Sequence, residues 1–107
     1  EKEGQYLQQI EKAYVELVDF QTYILNDDVQ VDANKHVLTM SEKNFQYQIT
    51  LFIDTFGNKE KGDESLYDFY VETDKALQAF YEATTKEQQA DAHAQLVKLK
   101  KPFLSLL

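Results

Sequence analysis

The chain has 107 residues, 43% of them hydrophobic, with 19 acidic and 11 basic side chains, a formal net charge of −8 and no cysteine. That length suits one domain with its own core, spanning 1–107. The missing cysteine excludes disulfides, thiol catalysis and cysteine-ligated metal, and a basic complement made only of lysine and outnumbered by acids disfavours nucleic acid and anionic membrane surfaces.

In chain order, the first periodic segment places Leu7, Ile10, Tyr14, Leu17, Ile24 and Leu25 on one side of a helix running from about Lys2 to Leu25. Asn26-Asp27-Asp28 ends it, because short polar side chains compete for the helical backbone. Over 26–40 the pattern predicts an irregular connector or a small hairpin, since Val29-Gln-Val31-Asp alternates as a strand does.

Ser41 then reads as an N-cap, with Met40 and Phe45 placed for a hydrophobic staple. The second helix carries Phe45, Ile49, Phe52, Ile53 and Phe56 on one face, and Gly57 suits a left-handed C-cap. A polar loop, Gly57–Asp63, leads to a third helix capped by Asp63 or Ser65, with Leu66, Phe69, Thr73, Ala76, Leu77 and Phe80 inward. Thr84 with Glu87, or Thr85 with Gln88, forms a capping box opening a fourth helix. That helix turns Ala92, Leu96, Leu99 and Phe103 to the core; Lys98, Lys100 and Lys101 complement its negative end, and Pro102 bends or stops it. Four amphipathic helices with short connections predict an all-α, antiparallel up-down-up-down four-helix bundle.

The motifs of common chemistries are missing from this pattern. A di-iron bundle needs Glu-x-x-His, yet Ala33 and Ala90 precede His36 and His93 by three residues. A calcium loop starting at Asp28 would have Ala33 at its sixth position, where glycine is needed, and Thr39 at its twelfth, where an acid is needed. There is no P-loop, dinucleotide fingerprint, Gly-x-Ser-x-Gly or His-Glu-x-x-His. The acidic pairs Asp27-Asp28 and Asp63-Glu64 lie in loops, where capping and solubility explain them. The reading is therefore of no catalytic residue, no metal and no cofactor.

Two surfaces stand out. At the pole where the first helix ends and the fourth begins, Gln21, Glu42, Gln89 and His93 interrupt or edge the apolar stripes, with His36 nearby. They form either a small polar pocket or the ordinary wetting of stripes at helix ends. On the back of helices 2 and 3, Tyr47 with Leu51 and Tyr67 with Val71 form apolar bumps, either a contact patch or scattered exposure.

The expected function is a non-enzymatic helical interaction module for an unknown protein partner or for self-association, with no nucleic acid and no membrane insertion. Glu1 in place of an initiator and the lysine- and tyrosine-rich composition fit the mature part of a secreted or surface-tethered, hence extracytoplasmic, bacterial protein. The alternatives are a small-ligand or metal-binding bundle using the polar pole, or an acidic immunity or antitoxin-type protein that neutralises a basic partner.

Overall fold

The computed structural model describes the backbone of residues 2–26 and 31–106 and the side chains of 2–26 and 38–106. Four helices pack side by side: α1 (Lys2–Asn26), α2 (Val31–Phe56), α3 (Leu66–Glu82) and α4 (Lys86–Lys98), followed by a short α5 (Lys100–Ser105). Neighbours run α1–α2–α3–α4 and back to α1, with the α1–α2 and α3–α4 pairs closest and the α2–α3 seam looser. Contacts between α1 and α4 descend one helix as they climb the other, from Lys86 at Ile24 to His93 at Gln21 and Leu96 at Tyr14. The bundle is thus antiparallel, and at 1.5 Å per residue the 26-residue α2 accounts for its 40 Å long axis.

The expected stripes of α1, α3 and α4 are buried apart from Leu25 and Leu99, which are half-buried, and Phe103 is buried from α5 and not from α4. α2 differs at its start. It is continuous through 31–40, so neither the connector nor the hairpin expected over 26–40 forms in its described part; Val29 and Gln30 lie outside the described residues. Ser41 caps nothing. It is buried at 8% exposure inside the helix, while Met40 is 56% exposed and makes no staple. The physical reason is that Leu38, Ser41, Phe45, Ile49 and Phe52 follow at spacings of three and four, one unbroken stripe in which a small serine occupies a core position. Phe56 is another departure: at the helix end it is exposed, leaning on Phe52 and Tyr6 with ring centroids 5.0 and 5.4 Å away.

The terminators behave as their chemistry requires. Gly57 takes φ +87° and its N–H reaches back to the Ile53 carbonyl at 2.8 Å. A hairpin does exist, but within the polar loop: β1 (Glu60–Lys61) pairs with β2 (Glu64–Ser65) around a two-residue turn whose Gly62 has φ +62°. Ser65, not Asp63, caps α3, its hydroxyl accepting from the Asp68 N–H. Thr85 caps α4 by accepting from the Gln88 N–H, and the Gln88 side chain accepts in return from the Thr84 backbone and hydroxyl. Pro102 is the exception: it neither bends nor stops α4, which ends at Lys98, and falls instead in the first turn of α5, where a missing N–H costs little.

Among the described residues two apolar clusters make up the interior. The larger is built around four rings, Tyr14, Phe45, Phe69 and Phe103, contributed by α1, α2, α3 and α5. Phe69 is their hub, 4.6 Å from Phe103, 5.4 Å from Tyr14 and 5.7 Å from Phe45. The smaller gathers Ile24, Leu38, Phe80 and Ala92 at the far end. Between them, Gln21 interrupts α1 after Leu17 and Ser41 interrupts α2 before Phe45, both buried. Truncating the hub, Phe69→Ala, is expected to lose about 3–5 kcal/mol, whereas Tyr23→Ala on the exposed side of α1 stays within about 0.5 kcal/mol of wild type. Urea or thermal unfolding measures both, and equal small losses would contradict the central role of the ring cluster.

Candidate functional site

The pole joins only part of the expected polar group. Gln21, fully buried on α1, brings its Oε1 within 3.0 Å of His93 Nδ1 on α4, and His93 Nε2 lies 3.2 Å from the Thr22 hydroxyl. That hydroxyl is also 2.9 Å from the Val18 carbonyl. One hydroxyl proton serves both ring and carbonyl in alternation. A neutral imidazole donates from Nδ1 to Gln21 and accepts at Nε2 from Thr22, whereas an imidazolium donates from both nitrogens and returns the Thr22 proton to Val18. Burial pushes the His93 pKa below its ordinary value, favouring the neutral arrangement.

Two more atoms beside this network are buried without a hydrogen-bond partner: Gln21 Nε2, and Oε1 of Gln89, one turn before His93. Lys86 at the start of α4 donates to the Ile24 carbonyl at 3.2 Å, satisfying the end of α1. Thr22 is the member that the sequence reading missed, since a threonine one residue from an apolar stripe carries no signal of its own. The His36 side chain lies outside the described residues. Among the described residues no set of three histidine, cysteine or carboxylate groups could hold a metal ion.

Glu42 belongs elsewhere. It lies at the α2–α3 seam, where Gln46 donates to its carboxylate at 3.3 Å. Its pKa is pushed up, first by burial and then by the negative charge of Asp74 on α3, with the Tyr81 hydroxyl acting in the opposite direction. Burial, and after it the Glu42 charge, raises Tyr81 to about 12. The Tyr81 oxygen is buried and faces Glu42 and Thr39 without a hydrogen bond of full geometry. The ion pairs among the described residues, Lys59–Glu3 and Lys75–Glu72, leave Glu42 and Asp74 without a counter-charge.

Further along the same seam is a groove of about 170 Å³ lined by Ile49, Thr50, Ile53 and Asp54 of α2 and Tyr67 and Tyr70 of α3. The start of α3 is held there by the Tyr67 N–H donating to Asn58 Oδ1 at 2.9 Å, and the two tyrosine rings are 6.2 Å apart. Of the expected patch, Tyr67 is at the groove, 53% exposed, and Tyr47 stands out from α2 at 62%. Leu51 and Val71 are half-buried, and with Tyr47 they are not among the lining residues. Of the expected patch, only Tyr67 therefore borders the groove between the helices, while Tyr47 is exposed apart from it. Thr50, Ile53, Tyr70 and Asp74 were missed as site residues because a stripe analysis assigns residues to one helix's inside or outside, and a seam is neither.

Comparison with protein-family models, curated proteins and solved structures finds no match to this chain. No helix among the described residues is long and apolar enough to cross a membrane.

Two titrations follow from these geometries. His93 has a folded-state pKa below its unfolded value of about 6.5, so its neutral form is bound more tightly by the fold. Its contribution is complete above that value and lost as pH falls. Wild type is thus expected to lose more thermal stability than His93→Gln between neutral and mildly acidic pH, and parallel curves would refute this. Glu42 runs the other way. Its folded pKa lies above 4.5, so its contribution is present below that value and is lost as pH rises. Glu42→Gln should melt higher than wild type at neutral pH, with the gain disappearing in acid; a lower melting temperature at neutral pH would show the carboxylate to be stabilising instead.

Proposed function

We propose that the chain is a non-enzymatic interaction module that engages a protein partner across its α2–α3 face. The observation that carries this reading is the apolar groove between Ile49, Ile53 and Tyr70, with Tyr67 exposed at its edge and Tyr47 nearby on α2. At about 170 Å³ it is smaller than the roughly 300–1,000 Å³ typical of small-molecule sites, and it suits one or two inserted side chains. Tyrosine is well matched to such a role, combining a large apolar surface with a polar tip at low entropic cost.

The polar network at the opposite side of the bundle supports a different chemistry less well. Its imidazole is held by an amide and a hydroxyl, neither of them an activated nucleophile or a second metal ligand.

A photo-crosslinking side chain installed at Tyr67 tests the proposal in extracts of the native host. A discrete adduct is expected from that position, absent when the crosslinker is placed at exposed Glu87 on α4 and lost when Thr50→Trp fills the groove. Equal labelling from both positions, or labelling indifferent to Thr50→Trp, would overturn it.

A further inference from the structure

Three carboxylates are strung along the seam: Asp54 at the groove, then Glu42 and Asp74 facing each other from α2 and α3. None takes part in an ion pair among the described residues, and the nearby Lys75 is bonded to Glu72 at 3.5 Å. Like charges brought together from adjacent helices, one of them partly withdrawn from water, work against the fold, and an arrangement that stability alone does not explain points to a binding role. Among the described residues, what the seam lacks is a cation. Eight residues separate Glu42 from Thr50 on α2, about 12 Å along the helix, which is two turns of any helix laid beside it.

We propose that the α2–α3 seam docks a cationic amphipathic helix of a partner protein, which inserts apolar side chains beside Ile49, Ile53 and Tyr70 and sets a lysine or arginine between Glu42 and Asp74. This rests on the interaction reading above and adds the partner's chemistry. A straight seam between two antiparallel helices accepts a helix by its apolar stripe, and a spacing of seven residues between anchor and cation matches the distance from groove to carboxylates. A second copy is the poorer occupant, since each chain carries a formal charge of −8 and two copies repel.

The test uses a synthetic amphipathic helix of about 18 residues with two leucines four apart and a lysine seven residues beyond the second, and a twin with glutamate replacing the lysine. Binding to the whole chain is followed by calorimetry or fluorescence anisotropy. The lysine peptide is expected to bind at least about tenfold tighter than its twin. The double variant Glu42→Gln, Asp74→Asn should lose about that factor, while Glu16→Gln, Glu87→Gln, which removes the same charge from exposed positions on α1 and α4, should not. Equal losses in the two double variants would reduce the attraction to net charge and overturn the proposal. If both peptides bind alike and Thr50→Trp abolishes them, the groove reading stands and the cation is wrong. Binding of neither peptide to the folded wild type overturns the cationic helix and leaves the Tyr67 crosslink to judge the groove on its own. A molecular mass that rises with concentration and returns to monomer in Thr50→Trp would place a second copy in the seam and likewise overturn it.

Discussion

Everything in this bundle depends on four aromatic rings meeting at one point. Tyr14, Phe45, Phe69 and Phe103 come from different helices, and their contacts set where each helix sits along its neighbours. Tilted, edge-on and offset arrangements of such rings are directional, so they fix register more sharply than aliphatic contacts of equal area. The Tyr14 hydroxyl adds a polar tie by donating to the Leu96 carbonyl, in the last turn of α4, and burial there pushes its pKa to about 12. A carbonyl that α4 itself leaves with spare capacity is thereby used to hold α1. Phe69 on α3 thus meets rings from α1, α2 and α5, α4 is tied in through the Tyr14 hydroxyl, and the α2–α3 seam is the more open one.

The seam and the polar layer are two answers to the same difficulty, that of putting polar groups where helices close. Between α1 and α4 the answer is a neutral network in which an amide, an imidazole and a hydroxyl exchange hydrogen bonds. Between α2 and α3 it is incomplete: Glu42 has one amide donor from Gln46, and across from it stand Asp74 and a tyrosine oxygen without a full hydrogen bond. Buried polar clusters are valuable when fully satisfied and expensive when they are not. Both layers leave buried atoms unpaired, Gln21 Nε2 and Gln89 Oε1 beside the imidazole and the Tyr81 oxygen in the seam, but among the described residues the seam also brings like charges together without a counter-charge.

Most of the architecture was legible as spacing. Leu7, Ile10, Tyr14 and Leu17, or Leu66, Phe69, Leu77 and Phe80, recur at helical intervals, and the cores of α1 and α3 follow directly. The start of α2 was not, because Ser41 satisfies every local criterion for a cap and only the position of Leu38 one turn earlier reveals that the stripe continues through it. At the site, polar interruptions were visible one helix at a time. The meeting of Gln21 with His93 follows from up-down topology once both are placed near one pole, and it is realised. Glu42 and Gln89 do not join it by hydrogen bonds among the described residues, since an interruption shows that a side chain leaves the stripe but not toward which neighbour it turns. The approach of Asp74 to Glu42, 32 residues away, leaves no trace in periodicity at all.

The division of the interior also bears on how the bundle opens. Among the described residues fifteen buried side chains make the larger cluster and four make the smaller, with Gln21 and Ser41 intervening on α1 and α2. Polar side chains between the clusters weaken the apolar coupling, which Tyr81 carries by packing against both. The amides of Phe80 and Ala92 are therefore expected to exchange with solvent faster than those around Phe69, because fewer described side chains hold them.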